Sequence, residues 1–146
     1  MGEIYVQTSD IAQLVQLAVA PVFLLSGVGV TLGVLTNRLA RIVDRARHAE
    51  KELASGPGGG SMERHLRVLR LRARYINFAI AAATVSAVLV SLCVILLFSH
   101  ALMGFDLATA IAVVFIAAML ALTAGFVAFL IEVRISTATL RIGGER

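Results

Sequence analysis

The chain has 146 residues, of which 59% are hydrophobic and 15% charged, with a mean hydropathy of +0.91 and a formal net charge of +4. Soluble domains carry about a quarter charged residues, so a water-soluble globular core is excluded and a single-domain integral membrane protein is expected. The single cysteine, Cys93, excludes an intramolecular disulfide and lies in an apolar run, where packing is its expected role.

The opening segment, MGEIYVQTSD, has no Lys or Arg to form the basic region of a signal peptide, and its sixth residue is not the Ser or Thr of a myristoylation signal. The first apolar run, residues 11–36, would be roughly 39 Å long as a helix, against a hydrocarbon core of about 30 Å. Ser9 or Asp10 is suited to cap it. Pro21 cannot donate to the Leu17 carbonyl and predicts a kink, structural by default or a gate if the helix lines a pore. Ser26, Gly29, Gly33 and Asn37 fall on one face, and Gln13, Gln16, Ala20, Gly27 and Thr31 on a second. Two faces without bulk predict a homo-oligomer, or one face open to water.

The stretch LTNRLARIVDRARHAEKE then continues the helix without Gly or Pro, with Leu35, Leu39, Ile42, Ala46 and Leu53 at helical spacing. SGPGGGS, residues 55–61, breaks it as a flexible tip. Met62, Leu66, Leu69, Ala73 and Ile76 follow at steps of 4, 3, 4 and 3, a heptad seam that predicts a second arm pairing with the first. The second span is expected over residues 76–103 and the third over 107–135, joined by a turn of Gly104, Phe105 and Asp106 that makes them antiparallel neighbours. Stripes of Ala79, Ala83, Ala87 and Ser91, and of Ala117, Ala121, Gly125, Ala128 and Glu132, predict tight helix contacts.

Ten of the thirteen Lys and Arg residues lie in residues 37–74, and the other three are Arg134, Arg141 and Arg146. The positive-inside rule therefore puts the hairpin and the C-terminus in the cytoplasm and the N-terminus outside. The fold class expected is an all-α membrane protein: three transmembrane helices, with a cytoplasmic antiparallel helical hairpin over residues 37–74 between spans one and two.

Arg38, Arg41, Arg45 and His48 share a face of the first arm, and Arg67, Arg70 and Arg74 a face of the second. Such stripes snorkel to anionic headgroups, or bind a specific lipid or acidic protein. Nucleic acid is not expected, because no aromatic residue interleaves them. Glu132 is an acid at the end of a span, expected to pair with Arg38 or Arg41, and Asp44 is expected to act similarly among Arg41, Arg45, Arg47 and His48. His48, His65 and His100 are scattered, and neither HExxH, GxxxxGK[ST] nor GxSxG is present. No enzyme activity, metal or cofactor is expected.

The segments LAVAPVFLLSGVGVTLGVLTNRLARIVDRAR, RLRARYINFAI and FIAAMLALTAGFVAFLIEVRISTATLRIG resemble a bacterial membrane-protein family known as domain of unknown function 2721. The resemblance runs from about Ile11 to Gly143 and implies a small multi-span bacterial inner-membrane protein without assigned activity. Its signature positions would be Pro21, Ser26, Gly27, Asn37, Arg38, Arg41, Asp44, Arg45, Arg47 and Glu132. Two functions are compatible with these residues. One is an oligomeric channel lined by span one, with Gln13, Gln16, Gly27, Thr31 and Asn37 facing water, Pro21 as kink and arginine rings at the cytoplasmic mouth. The other is a non-conducting scaffold or regulator whose hairpin binds anionic lipid or a cytoplasmic protein partner.

Overall fold

A computed structural model of the chain describes residues 8–56, 60–104 and 106–141. They form three helices: α1 (Thr8–Ser55), α2 (Gly60–Met103) and α3 (Ala108–Arg141). At 1.5 Å per residue, the 48 residues of α1 extend about 72 Å and the 44 of α2 about 66 Å, more than twice a hydrocarbon core. All three are long and apolar enough to cross a membrane. Among the described side chains, the large exposed apolar ones on α1 stop at Val34, begin again on α2 at Leu71 and Phe78, and end on α3 at Ile131. Beyond those limits the outer faces of the described residues turn polar, and there α1 and α2 remain packed against each other.

The helix starts and stops differ from the sequence expectation at a few points. Helix α1 begins at Thr8, so Ser9 and Asp10 lie inside it instead of capping it. It remains helical through Pro21. The glycine-rich tip is shorter than expected, since α1 reaches Ser55 and α2 starts at Gly60, with residues 57–59 outside those described. Helix α3 continues past residue 135 to Arg141. Residues 142–146 and residue 105 lie outside the described set, as does the opening segment before Thr8.

One period organises the packing. On α1 the buried residues Ala18, Val28, Leu35, Ile42 and Ala49 are joined by the partly buried Pro21, Leu25, Leu32, Leu39, Ala46 and Leu53. Each step is three or four residues, so a single heptad seam runs from the apolar belt into the hairpin, the pattern of a left-handed coiled coil. Ala49 completes the series that the sequence reading left at Ala46 and Leu53. On α2, Leu66, Leu69 and Ile76 are buried, and the hydrophobic core joins Leu35, Ile42, Leu69, Ile76, Ala79 and Ala128.

Helix α2 is central, because it packs against both others while no Cα of α1 comes within 8 Å of one in α3 among the described residues. Its second seam, Ala79, Ala83, Ser86, Val90 and Cys93, is buried against α3. At Gly125 a Cβ would lie 3.2 Å from the Ala79 carbonyl oxygen and 3.4 Å from the Ala82 Cβ. Small residues here let the backbones approach, as the stripes suggested, although Ala118 rather than Ala117 is fully buried and Ser91 is exposed. The α2–α3 turn is closed by Gly104, whose φ of +69° favours glycine and whose N–H donates to the His100 carbonyl at 3.0 Å. Asp106 Oδ1 accepts from the Ala108 N–H at 3.4 Å and starts α3. In contrast, Gly27, Gly29 and Gly33 of α1 have nothing within 4 Å of a built Cβ, so neither small-residue face of α1 is closely packed at its glycines.

Two substitutions separate close approach from open space. Gly125→Val is expected to cost about 1–3 kcal/mol by forcing α2 and α3 apart, read as a lower midpoint in thermal or SDS unfolding of the detergent-solubilised protein. Ser86 Oγ is fully buried with no hydrogen-bond partner among the described residues. Its hydroxyl contributes nothing to hold the helices, and Ser86→Ala should leave the same midpoint unchanged or raise it.

Candidate functional site

Glu132 occupies the seam of α3, seven residues after Gly125, and its side chain is 0% exposed. A carboxylate removed from water is tolerated only where charge and hydrogen bonds replace the lost solvent. Both other helices supply them. Oε2 accepts from Arg38 Nη2 of α1 at 2.9 Å, and Oε1 accepts from Arg72 of α2 through Nε at 3.0 Å and Nη2 at 2.9 Å. The Arg38 guanidinium also lies 5.2 Å from the centre of the Phe129 ring, where the π face attracts the cation. This clamp ties all three helices where the apolar belt ends.

The clamp leaves an excess of positive charge. Arg38 and Arg72, with Arg41, Arg45, Ile42 and Ser136, line a recess of about 220 Å³. Four guanidiniums around one carboxylate give a local net charge of +3 (four minus one). Arg41 Nε donates to the Asn37 carbonyl at a long 3.4 Å. Arg45 has no hydrogen bond or ion pair within the described residues. Convergent cations with unused donors in a walled recess focus a positive potential. The arrangement can hold an anion. It offers no nucleophile paired with a base, and among the described residues no three His, Cys, Asp or Glu are placed to hold a metal ion.

Of the residues expected in a charge network, Arg38 and Glu132 meet directly, and Arg41 and Arg45 border the recess without touching Glu132. Asp44 takes no part in the clamp. It is exposed, forms no ion pair among the described residues, and borders an open groove of about 600 Å³ with Arg45, His48, Glu52, Met62 and His65. Arg72 is the partner that sequence reasoning missed. On the first helix, Gln13, Gln16 and Asn37 are exposed and Pro21 is partly buried. Gly27 and Thr31 border a cleft of about 330 Å³ against Leu122 and Phe126 of α3, lined otherwise by Phe23, Leu24 and Val28. The Thr31 hydroxyl donates to the Gly27 carbonyl at 2.9 Å, satisfied within its own helix.

Three long apolar helices bound by a buried ionic clamp are the build of a multi-pass α-helical membrane protein. The sequence agrees with the family model described as "Protein of unknown function (DUF2721)" over residues 18–142, and the chain belongs to that family. The matched region contains Arg38, Arg72 and Glu132. No curated protein and no solved structure matches the chain.

Removing the carboxylate charge would leave two guanidiniums facing each other without their counterion. Glu132→Gln should therefore destabilise the solubilised protein by about 3 kcal/mol, at the lower end for a broken buried pair because Arg38 and Arg72 retain some water. The Arg70–Glu50 pair is 3.3 Å long with side chains 73% and 52% exposed, so Glu50→Gln should change the same unfolding midpoint by less than about 0.5 kcal/mol.

Proposed function

We propose that the protein is a non-conducting scaffold or regulator of the bacterial cytoplasmic membrane, which presents the α1–α2 hairpin to an anionic lipid surface or an acidic protein. The observation that supports this reading is the continuity of the seam from the apolar belt through Leu35, Ile42 and Ala49 to Leu53. A connection that served only to join two spans needs no packed core outside the bilayer. Here the arm beyond Asn37 is a paired helix about 27 Å long carrying a basic exterior. Residues 37–74 hold ten Lys or Arg against Asp44, Glu50, Glu52 and Glu63, a net charge of +6 (ten minus four). The positive-inside rule places that excess in the cytoplasm, beside lipids that attract each basic residue by about 1 kcal/mol.

A second reading, an oligomeric pore lined by α1, is favoured by the exposure of Gln13 and Gln16 and by the open space at Gly27, Gly29 and Gly33. Amides facing hydrocarbon lack hydrogen-bond partners, and a second copy or a water-filled axis would supply them.

The two readings part in vesicles and in cells. The reconstituted chain should pass no more ions than protein-free vesicles, and the Arg64→Gln, Arg67→Gln, Arg74→Gln triple variant should insert and assemble but fail to complement a deletion strain. Flux that Gln13→Ala or Gln16→Ala alters would establish the pore. Full complementation by the neutralised hairpin would remove the scaffold reading.

A further inference from the structure

We infer that the recess bounded by Arg38, Arg41, Arg45, Arg72 and Ser136 is a binding site for a phosphate monoester. The inference rests on the proposed reading only in placing this end of the molecule at an anionic surface. The site itself is argued from its geometry.

Its walls come from three helices: α1 supplies Arg38, Ile42, Arg41 and Arg45, α2 supplies Arg72, and α3 supplies Ser136. Glu132 fixes two of the four guanidiniums. Arg38 uses one of its five N–H donors on the carboxylate and Arg72 uses two. Both forks are thus held in orientation while further donors remain for a ligand. Pre-oriented guanidiniums are suited to bidentate recognition of phosphate oxygens. Arg41 and Arg45 stand at the rim and form no ion pair among the described residues, although Asp44 and Glu52 border the neighbouring groove with Arg45. Ser136 adds a hydroxyl to the lining from α3.

Charge selects the class of anion. Against a local +3, a carboxylate or a phosphate diester brings one negative charge, whereas a monoester brings about −1.5 to −2 near neutral pH. Depth indicates where such a group could come from. Among the described side chains, large exposed apolar ones end at Val34 on α1, four residues before Arg38, and at Ile131 on α3, next to Glu132. That is the level of lipid headgroups, so phosphatidic acid in the same leaflet and a soluble phosphate ester from the aqueous side can both reach the recess.

The test uses the full-length chain in phosphatidylcholine nanodiscs, either plain or containing phosphatidic acid or phosphatidylglycerol. Thermal stabilisation and co-purified lipid are the readouts, and inorganic phosphate and glycerol phosphate are titrated into the plain discs. Phosphatidic acid should stabilise the protein more than phosphatidylglycerol does. The Arg41→Gln, Arg45→Gln variant alters exposed side chains outside the Glu132 clamp, so it should keep its helicity and elution volume. It should lose affinity by roughly 100-fold, about tenfold per charge-assisted contact. Arg64→Gln, Arg67→Gln, on the distant hairpin arm, should bind as the parent does. Stabilisation by the soluble phosphates would assign a soluble ligand, and stabilisation by phosphatidic acid alone a headgroup; either supports the site. Equal losses in the two double variants would overturn it in favour of diffuse attraction to the hairpin, leaving the scaffold reading intact. The site also falls if no phosphate probe stabilises the parent chain.

Discussion

Everything in this structure is organised around a carboxylate that has no water. Glu132 sits in the α3 seam at a position where its neighbours in the series are Gly125 and Ala128. Its desolvation must be offset by Arg38 and Arg72 in one geometry, with one arginine from each remaining helix. A sliding of α2 by one heptad would put His65 or Ala79 in place of Arg72 and take away the partner that holds Oε1, leaving the buried acid half-satisfied at a cost of about 3 kcal/mol. Apolar heptad seams are permissive about register because every turn resembles the next. A single buried polar position removes that degeneracy. We regard register specification as the structural role of the clamp, with the anion-attracting recess as its by-product at the same depth.

The division of labour between the helices follows from side-chain size. Helix α2 presents Leu and Ile to α1 in the hairpin and Ala, Ser and Cys to α3 in the belt. The first surface gains from removing apolar area from water. The second lies where surrounding lipid is as apolar as the protein, so association depends on close van der Waals approach, which Gly125 permits. The same chain therefore uses two kinds of adhesion, changing from one to the other where the solvent changes.

Much of this was legible in the sequence. Three apolar runs, the break at the glycine-rich tip and the seam through Leu66, Leu69 and Ile76 are periodic signals, and the helices follow them. Arg38 and Glu132 were identifiable because each interrupts or ends an apolar run. Arg72 was hidden among Arg64, Arg67, Arg70 and Arg74, which are chemically equivalent on paper. What distinguishes it is phase: it lies seven residues before Ala79, on the backward extension of the α3-facing seam, while Arg70 and Arg74 point to solvent. Asp44 went astray for the converse reason. Nearby opposite charges in sequence suggested a pair, but its position between seam residues Ile42 and Ala46 turns it outward.

Helix α1 also has a mechanical consequence. It is one uninterrupted rod held to α3 near Arg38, with no backbone approach between the two helices elsewhere among the described residues. Arg38 is thus its ion-pair tie to α3 among the described residues. One arm reaches about 26 Å to Ser55, and the other about 17 Å to Gly27 at the cleft facing Leu122 and Phe126. Because α1 is packed on α2 through its heptad seam, tilting it about Arg38 to widen that cleft would require the seam itself to part.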